Sequence, residues 1–420
     1  MGNTAIVGFG GAGYHAARAL READPDAEIH VYTDSPDAPY NPMLTTYYVA
    51  GRIDRETMMP YGPAEEIAAK LGLCLHRERV LRLRARERTL VTASGEERRY
   101  DDIVLATGSH PLVPPIEGLS ADCGAVYVMR TPADADRLLA RIREGISSAL
   151  VIGASWVGIK VVEALCAHGV PTTLADMAPR IFPTATLPPV AEEIHRRLEA
   201  QGIALRFGSG IASIVPSGGG LVSTFSDGAS LRTDVVALCL GLRPTVDIVD
   251  GAELELGKGL RVDLRMRTGV PHIYAVGDCC EAYEMITRQS MNVNLWANAF
   301  EQGEVAGRNI AGVPAQFGGN FIHNITHFLG MDFVGLGDNR SEGRTVSYRH
   351  PTEGWQLYAV LTGSGIGCIN LLDNHAASGP AKAALIKRLT APGTEIGPAA
   401  RLALRESGLP ADIIAEIGGY

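Results

Sequence analysis

Three glycines near the N-terminus stand at a spacing that holds phosphate. Gly8, Gly10 and Gly13 form the pattern G-x-G-x-x-G directly after the apolar run Ala5–Val7, and residues 14–22 predict a helix. In such a strand–turn–helix unit the first glycine permits the tight turn, the second lets a pyrophosphate approach the backbone, and the third lets the helix pack on the strand. The helix N-terminus offers free N–H groups and a partial positive charge. The pattern therefore predicts a dinucleotide ligand.

An acidic residue completes this unit. Residues 28–33 alternate as a second strand, and Asp34 follows them about where a ribose-binding carboxylate belongs. The glycine pattern alone is weak evidence, and a glycine turn without a ligand is the alternative. Strand, helix and acid together make the nucleotide prediction strong.

A second unit of the same kind follows a buried apolar strand further along the chain. Gly153, Ser155 and Gly158 keep the spacing, with serine at the middle place, where a small side chain still permits close approach. The next strand ends at Asp176, which would accept a hydrogen bond from a ribose 2′-OH and repel a 2′-phosphate. Two units predict two dinucleotides and favour NADH over NADPH, although the nearby Arg180 keeps NADP(H) open as an alternative.

The bulk composition limits the class of protein. The chain has 420 residues, more than one core usually supports, and 46% of them are hydrophobic. A net charge of −9 argues against a nucleic-acid partner, and no apolar run is long enough for a membrane helix. The early start of the first core strand leaves no room for a signal peptide. Seven scattered cysteines without C-x-x-C spacing suit a reducing cytoplasm and give no metal site.

Several ordered motifs resemble the pyridine-nucleotide–disulfide oxidoreductase superfamily, over residues 3 to about 312. The resemblance implies that FAD and a nicotinamide dinucleotide are the cofactors. The residues that it implies for FAD are Gly8, Gly10, Gly11, Ala12, Gly13, Asp34, Ala106, Thr107, Gly108, Gly277, Asp278, Ala299 and Gln302. Those that it implies for NAD(H), with the domain-crossing segment, are Gly153, Ser155, Trp156, Val157, Gly158, Asp176 and Gly241.

The resemblance also implies the fold. We expect an α/β protein with two Rossmann-like dinucleotide-binding domains and a C-terminal α+β interface domain. The expected boundaries are 1–118 with 245–313 for the FAD domain, 119–244 for the NAD(P)H domain and 314–420 for the C-terminal domain. In this family the third domain often makes a homodimer, while other members are monomers.

The chain departs from the disulfide reductases of the family at the redox cysteine. Near the expected place, on a short helix predicted over Met43–Gly51, stands Met43, which cannot form a thiolate. The adjacent pair Cys279–Cys280 is a weak substitute, because neighbouring cysteines form strained bridges and these lie at the wrong end of the cofactor. His350 resembles the family's acid/base histidine, but two flanking strands predict that it lies in a hairpin turn.

The outline is most similar to the nitrite-, rubredoxin- and ferredoxin-reductase branch, in which flavin passes electrons onward without a cysteine relay. We therefore expect an FAD-dependent NAD(P)H oxidoreductase that serves a ferredoxin- or rubredoxin-type acceptor or a partner subunit. The side chains that could line the contact between nicotinamide and flavin are Lys160, Tyr47, Tyr48 and Trp296. The basic stripe of Arg82, Arg84, Arg86 and Arg88 is either a solvated face or a docking surface for an acidic protein.

Two alternatives remain open. The flavin could act directly on a small organic substrate or on O2, with His323 and His327 as acid/base groups. Two histidines four residues apart also resemble a metal pair, but no third ligand is evident, and a structural role is the stronger interpretation. A scaffold protein without turnover is least favoured, because both nucleotide motifs are intact.

Overall fold

The computed structural model describes residues 2–37, 39–119, 124–363, 365–391 and 394–418. The chain forms two compact units. The first comprises Met1–Leu112, Arg130–Ala135 and Leu242–Asn320, and the second comprises Val113–Met129, Asp136–Gly241 and Phe321–Tyr420. The three-domain boundaries expected from the sequence stay a prediction.

The strands are short, and most of them are buried on at least one face. In chain order they are β1 (Asn3–Val7), β2 (Glu28–Tyr32), β3 (Cys74–His76), β4 (Val80–Arg84), β5 (Thr89–Thr92), β6 (Glu97–Arg99), β7 (Asp102–Leu105), β8 (Ser109–Pro111), β9 (Val126–Tyr127), β10 (Ala149–Ile152), β11 (Thr172–Asp176), β12 (Ala204–Phe207), β13 (Ile211–Ser217), β14 (Gly220–Phe225), β15 (Ser230–Thr233), β16 (Val235–Leu238), β17 (Leu242–Pro244), β18 (Leu260–Arg261), β19 (Ile273–Ala275), β20 (Cys280–Tyr283), β21 (Ser290–Met291), β22 (His323–Phe328), β23 (Met331–Gly337), β24 (Arg344–Arg349), β25 (Gln356–Thr362) and β26 (Gly365–Leu372).

The helices alternate with the strands of the two parallel sheets and then follow the C-terminal sheet. They are α1 (Gly11–Ala23), α2 (Thr45–Val49), α3 (Ala64–Leu71), α4 (Pro132–Arg143), α5 (Trp156–Ala167), α6 (Pro188–Ala200), α7 (Trp296–Ile310), α8 (Ser378–Thr390), α9 (Pro398–Glu406) and α10 (Ala411–Gly418). Single 3₁₀ turns occupy Pro42–Leu44, Glu56–Met58, Gly277–Cys279 and His375–Ala377. In the described ranges, no helix is long and apolar enough to span a bilayer.

A parallel sheet of order β19-β7-β1-β2-β3 forms the core of the first unit. Its central strand β1 is buried from Thr4 to Val7, and Ile6 lies opposite Val31 of β2 on one side and Val104 of β7 on the other. Helix α1 packs closely on α7, since a side chain at Gly303 would collide with the carbonyl of Ala12. The first glycine pattern therefore leaves the sheet from its middle strand.

The second unit repeats this plan with a parallel sheet of order β12-β11-β10-β16-β9. Val151 of the central strand β10 lies opposite Leu174 and Ala237, and all three are buried. The second glycine pattern follows β10 in the same way that the first follows β1. The predicted fold class, with two Rossmann-like sheets, is therefore confirmed.

The C-terminal residues form the expected α+β layer. An antiparallel sheet of order β22-β23-β26-β25-β24 is followed by α8, α9 and α10. The hairpin between β24 and β25 contains His350, whose N–H donates to Trp355 O over 2.9 Å. The prediction that His350 lies in a turn is confirmed.

The predicted arginine stripe is only partly a strand face. Arg82 and Arg84 lie on β4, whereas Arg86 and Arg88 lie in the turn before β5. Arg84 pairs with Glu97, and Arg88 donates to a backbone carbonyl from a left-handed conformation (φ 55°). A turn replaces the continued strand because the chain must reverse into β5. Arg82 and Arg86 are the exposed members.

Candidate functional site

The first glycine turn leaves open space above the start of α1. Gly8 has φ 102°, and a side chain there would collide with the carbonyl of Ala106 at the end of β7. A side chain at Gly13 would collide with the carbonyl of Gly8. A Cβ at Gly10, by contrast, would meet no atom within 4 Å. The three glycines thus have the three separate roles that the sequence predicted, and the free N–H groups of α1 face a cradle for phosphate.

The carboxyl end of β2 places an acid beside this turn. Asp34 is exposed, and its Oδ2 lies 3.9 Å from Nε of Arg79. A surface cleft at this point is lined by Thr33, Asp34, Ser35, Pro36 and Arg77. The carboxylate can accept hydrogen bonds from sugar hydroxyls there, because both of its oxygens remain largely in contact with solvent.

A second carboxylate, Asp278, lies on the turn after β19. Its Oδ2 accepts a hydrogen bond of 2.8 Å from Ser109 Oγ and one of 2.7 Å from Nη2 of Arg130. Arg130 belongs to the short segment Arg130–Ala135 that contributes to the first unit. The carboxylate is mostly buried, and its Oδ2 accepts both of these hydrogen bonds. Asp278 is therefore held in one orientation by a hydroxyl and a guanidinium.

The sequence analysis missed both partners of Asp278. Ser109 directly follows the Ala106-Thr107-Gly108 motif, so its position beside the motif was a usable signal. Arg130 had none, since it stands 148 positions away from Asp278 along the chain. Only the fold brings the two charges together.

Helix α7 approaches the same place with its first two turns. It begins at Trp296, and the indole would lie about 3.1 Å from a Cβ at Gly11. A Cβ at Gly277 would lie 3.7 Å from that of Ala299. Gln302 accepts a hydrogen bond of 2.8 Å from Gly277 N through Oε1. The structure therefore brings these three predicted residues of α7 together with the first glycine pattern and the Asp278 turn.

These residues fit an extended flavin dinucleotide. The open space at Gly10 and at Gly108, where a Cβ would also meet nothing within 4 Å, gives room for a pyrophosphate and its neighbours. Acids at Asp34 and Asp278 can hold hydroxyls at separate points. Ala12 of α1 adjoins the Asp278 turn, its Cβ 3.0 Å from the position of a Cβ at Gly277. The donor and acceptor set thus matches FAD.

The segment where related enzymes carry a redox cysteine contains none. Asn41 caps the 3₁₀ turn by accepting from Met43 N, and Met43 itself is exposed. The short helix predicted over Met43–Gly51 is this turn followed by α2. Thr45 and Thr46 are buried, whereas Tyr47 and Tyr48 are half-buried, with Arg52 beside the Tyr47 ring; whether either tyrosine lines a nicotinamide stays a prediction.

The adjacent cysteines are inert in their surroundings. Cys279 donates through Sγ to the carbonyls of Leu105 and Val276 over 3.3 Å, and Cys280 donates to Gly277 O over 3.2 Å. Burial raises the pKa of both thiols above the ordinary range, so both stay protonated. They are free, like the other cysteines in the described ranges; Cys123 lies outside those ranges.

The second glycine turn has the same design with one change. A side chain at Gly153 would collide with Cys239 O, and one at Gly158 with Gly153 O. Ser155 caps α5, since its Oγ accepts from Gly158 N over 3.2 Å and donates to Cys239 O over 3.0 Å. A side chain therefore replaces the middle glycine and also satisfies a helix terminus. Val157 is exposed beside it.

The acid of the second unit is anchored to the backbone. Asp176 accepts from Ala154 N over 2.7 Å and from Ala178 N over 2.8 Å. Arg180 donates through Nε to Thr186 O over 3.3 Å. Both carboxylate oxygens of Asp176 thus accept from backbone N–H groups, and its role towards a ribose and the preference for NADH over NADPH stay predictions. Gly241 is the last residue of the segment Asp136–Gly241 of the second unit, and a Cβ there would meet no atom within 4 Å.

Trp156 and Lys160 of α5 face the C-terminal sheet. The Trp156 ring stacks on Phe182 at 4.1 Å. Lys160 is buried; its ammonium pairs with Glu163 and donates to His327 O over 2.9 Å, while Glu163 accepts from Leu329 N over 3.0 Å. The pair caps backbone groups of the edge strand β22. Lys160 therefore has a structural contact, and a direct role towards nicotinamide stays untested.

His323 and His327 lie along β22, not on a helix. At about 3.3 Å per residue they are roughly 13 Å apart along the strand, so they cannot share one metal ion. His323 Nδ1 hydrogen-bonds Phe321 O and its Nε2 lies 3.1 Å from Lys382 Nζ, whereas His327 pairs with Asp332. Burial lowers the pKa of His323. Within the described ranges, no group of three metal-ligating side chains occurs.

Comparison with known proteins agrees with this geometry. The family model "Pyridine nucleotide-disulphide oxidoreductase" matches residues 2–303. An NADH oxidase of Methanocaldococcus jannaschii is 32% identical over 319 residues, which cover 74% of this chain and 70% of the relative. The epsilon subunit of an NADH-dependent phenylglyoxylate dehydrogenase of Aromatoleum evansii is 28% identical over 86% of this chain and 85% of its own.

A solved structure supports the fold at the level of the backbone. The covalent putidaredoxin reductase–putidaredoxin complex has a reductase-like chain that superposes with a TM-score of 0.84, at 22% identity, over 92% of this chain and 93% of that one. At this identity the likeness concerns the fold alone.

Removing the Asp278 carboxylate tests the flavin assignment. We expect Asp278→Ala to bind FAD on the order of 10-fold or more weakly, because a hydrogen bond to a charged group is lost inside the site. The measurement is the flavin content after purification and the FAD Kd of the apoprotein. Asp263→Ala, which removes a carboxylate that pairs with Arg267 on the same unit, is the control. An Asp278→Ala protein that purifies fully flavinated contradicts the assignment.

Proposed function

Because the chain belongs to the pyridine nucleotide-disulphide oxidoreductase family and is an FAD-dependent NAD(P)H oxidoreductase, we propose that it oxidises NADH and delivers electrons to a ferredoxin- or rubredoxin-type protein or a partner subunit. The delivery uses no cysteine relay. Flavin, when bound, exchanges two electrons with nicotinamide and can release them singly.

The chain's own residues supply binding and orientation. The turn of Gly8, Gly10 and Gly13 with the start of α1 binds the pyrophosphate. Asp34 binds the adenosine ribose. Asp278, held by its two partners, binds the hydroxyls nearer the reactive ring. An exposed acid at one end and a paired, mostly buried acid at the other hold the cofactor along its length, so that the protein positions its ring.

The observation that carries the proposal is the state of the sulfur atoms. A cysteine relay needs a thiolate that is not hydrogen-bonded to backbone carbonyls and that can contact the flavin. Met43 stands at the usual position, and the thiols of Cys279 and Cys280 are buried, protonated and bonded to carbonyls. This arrangement supports the proposal that electrons pass from the flavin directly to the acceptor.

Two of the comparisons favour a protein as that acceptor. The Aromatoleum relative is named as one subunit of a dehydrogenase, and the similar reductase fold was solved joined to putidaredoxin. For this chain we place the docking surface on the exposed arginines Arg82 and Arg86, since an acidic iron–sulfur protein would need a basic face on its reductase. Trp296, Tyr47 and Tyr48 are proposed to line the flavin ring.

A second candidate function is kept because of one relative. The Methanocaldococcus protein is named an NADH oxidase, which supports direct reaction of the flavin with O2 or a small organic substrate. His323, whose Nε2 lies beside Lys382, is the acid/base candidate in that case. We further propose a reducing cytoplasmic location, which the free cysteines support, and a homodimer through the C-terminal domain, 314–420.

The dinucleotide preference depends on Asp176. We expect Asp176→Ala to lower the ratio of kcat/KM for NADH to that for NADPH by about 10-fold, because a carboxylate that hydrogen-bonds ribose and repels phosphate is removed. Asp176→Asn keeps the shape and separates charge from contact. Steady-state kinetics with both dinucleotides measure the ratio, and an unchanged ratio in Asp176→Ala refutes the assignment.

The acceptor is tested by reoxidation. The NADH-reduced protein is mixed anaerobically with ferredoxin, rubredoxin or a small quinone, and separately with O2, while flavin absorbance is followed. We expect the iron–sulfur proteins to reoxidise the flavin fastest, with a rate that falls as salt rises because docking is electrostatic. The double variant Arg82→Gln, Arg86→Gln should slow only the protein acceptors. Fast reoxidation by O2 or the quinone alone supports the second function and contradicts the first.

A further inference from the structure

Side-chain amides form hydrogen bonds with the backbone of the turn that carries Asp278. Gly277 has φ 75°, and its N–H donates to Gln302 Oε1 over 2.8 Å. Asn292 donates through Nδ2 to the carbonyls of Asp278 and Cys280 over 2.8 and 2.9 Å. The direction in which the Asp278 side chain leaves the backbone therefore depends on where these amides hold the turn.

Gln302 is itself oriented by a further amide. Its Nε2 points to Oδ1 of Asn320 at 3.4 Å, and the same oxygen accepts from Asn298 Nδ2 over 2.8 Å. Asn298 and Gln302 lie one helical turn apart on α7, so both reach one acceptor. All three side chains are buried. We call Asn298, Gln302 and Asn320 the amide relay.

Asn320 is the fixed point of the amide relay. Its Nδ2 donates to Ala282 O over 3.2 Å and to Met291 O over 3.1 Å, on strands β20 and β21. Its Oδ1 accepts the two amides of α7. Every donor and acceptor of this side chain is thus used, and a flip of the amide would place NH2 groups against NH2 groups and oxygens against oxygens.

This geometry has a consequence at the cofactor. With Asn320 in one orientation, Gln302 must present Oε1 and not Nε2 to Gly277, because its Nε2 is already committed. Loss of Asn320 removes that constraint and leaves two buried amide donors without an acceptor. The Gln302 side chain is then no longer held through its Nε2, so the acceptor of the Gly277 N–H is no longer fixed in place.

We propose that Asn320 is a positioning residue for the flavin site: through the amide relay it sets the Gly277–Asp278 turn at which the cofactor is held. The proposal rests on the function proposed for Asp278. Asn320 has no contact with the open cradle, so its effect must pass through Gln302 and Gly277.

The test measures FAD affinity in the apoprotein, by flavin fluorescence quenching. Asn320→Asp replaces the NH2 group by an oxygen that faces the carbonyls of Ala282 and Met291, and this repulsion displaces the side chain that accepts from Asn298 and Gln302. We expect this variant to raise the FAD Kd on the order of 10-fold. Asn298→Ala removes one donor and should raise it about 3-fold. The visible circular dichroism of bound flavin should change in both variants, since the ring sits in an altered asymmetric site.

A matched asparagine on the same helix separates positioning from mere stability. Asn309 of α7 donates through Nδ2 to Val305 O and Ala315 O over 2.9 Å, and accepts from Ala315 N over 3.1 Å. We expect Asn309→Ala to lower the thermal midpoint as much as Asn298→Ala does, while the FAD Kd and the dichroism stay at the wild-type values.

The outcomes distinguish the two proposals. If Asp278→Ala loses FAD but Asn320→Asp and Asn298→Ala bind it like the wild type, the amide relay has no role at the cofactor. The same conclusion follows if Asn309→Ala weakens binding as strongly as they do. If Asp278→Ala itself keeps wild-type affinity, the function proposed for that carboxylate is the part that fails. Should Asn320→Asp not fold, Asn298→Ala alone decides.

Discussion

The backbone of the Gly8 turn passes so close to the carbonyl of Ala106 that no side chain fits between them. This contact lets α1 start directly over the end of β1, and it lets the free N–H groups of the helix face open space. Gly153 meets Cys239 O in the same way at the second sheet. In both sheets the turn follows the middle strand, which has neighbouring strands on either side. Each cradle is thus a consequence of strand order and of a missing Cβ.

The carboxylate beside the first cradle is held by hydrogen bonds and an ion pair, and not by glycine geometry. Asp278 is paired by Ser109 and Arg130, and its backbone is held by buried amides that have no freedom to flip. A mostly buried carboxylate would be costly without such partners. With them, it is a fixed hydrogen-bond acceptor on the turn after β19. A fixed acceptor suits the direct electron transfer that we propose, in which the flavin itself meets both the nicotinamide and the electron acceptor.

What the sequence predicted was local. The glycine patterns, the acids at strand ends and the hairpin around His350 each lie within about 30 residues, so spacing was sufficient to place them. The helix α1 begins earlier than predicted, at Gly11, since the cradle needs its first turn. The fold class was implied by the family resemblance of the ordered motifs, which include the repeated strand–turn–helix unit.

What the sequence did not reveal depends on distant contacts. Arg130 reaches Asp278 only after the chain has left the first unit and returned to it. Lys160 looked available for chemistry because its contact with His327 O was not visible from the sequence, although Glu163 at i+3 on the predicted helix was a usable signal. The four-residue spacing of His323 and His327 resembled that of a metal pair, but on the strand β22 the same spacing keeps the two rings apart. The amide relay joins Asn298 and Gln302 of α7 to Asn320, which precedes β22, and no local sequence pattern indicates it.

The central claim is that electrons pass from NADH through the flavin to the acceptor without passing through a sulfur atom. An anaerobic titration of the purified flavoprotein with NADH tests it directly, with flavin absorbance and free thiols followed together. The account predicts full reduction with about one equivalent of NADH per FAD and no new thiols, since the flavin is a single two-electron centre. Consumption of about two equivalents, with two thiols appearing, would reveal a redox-active disulfide and contradict it.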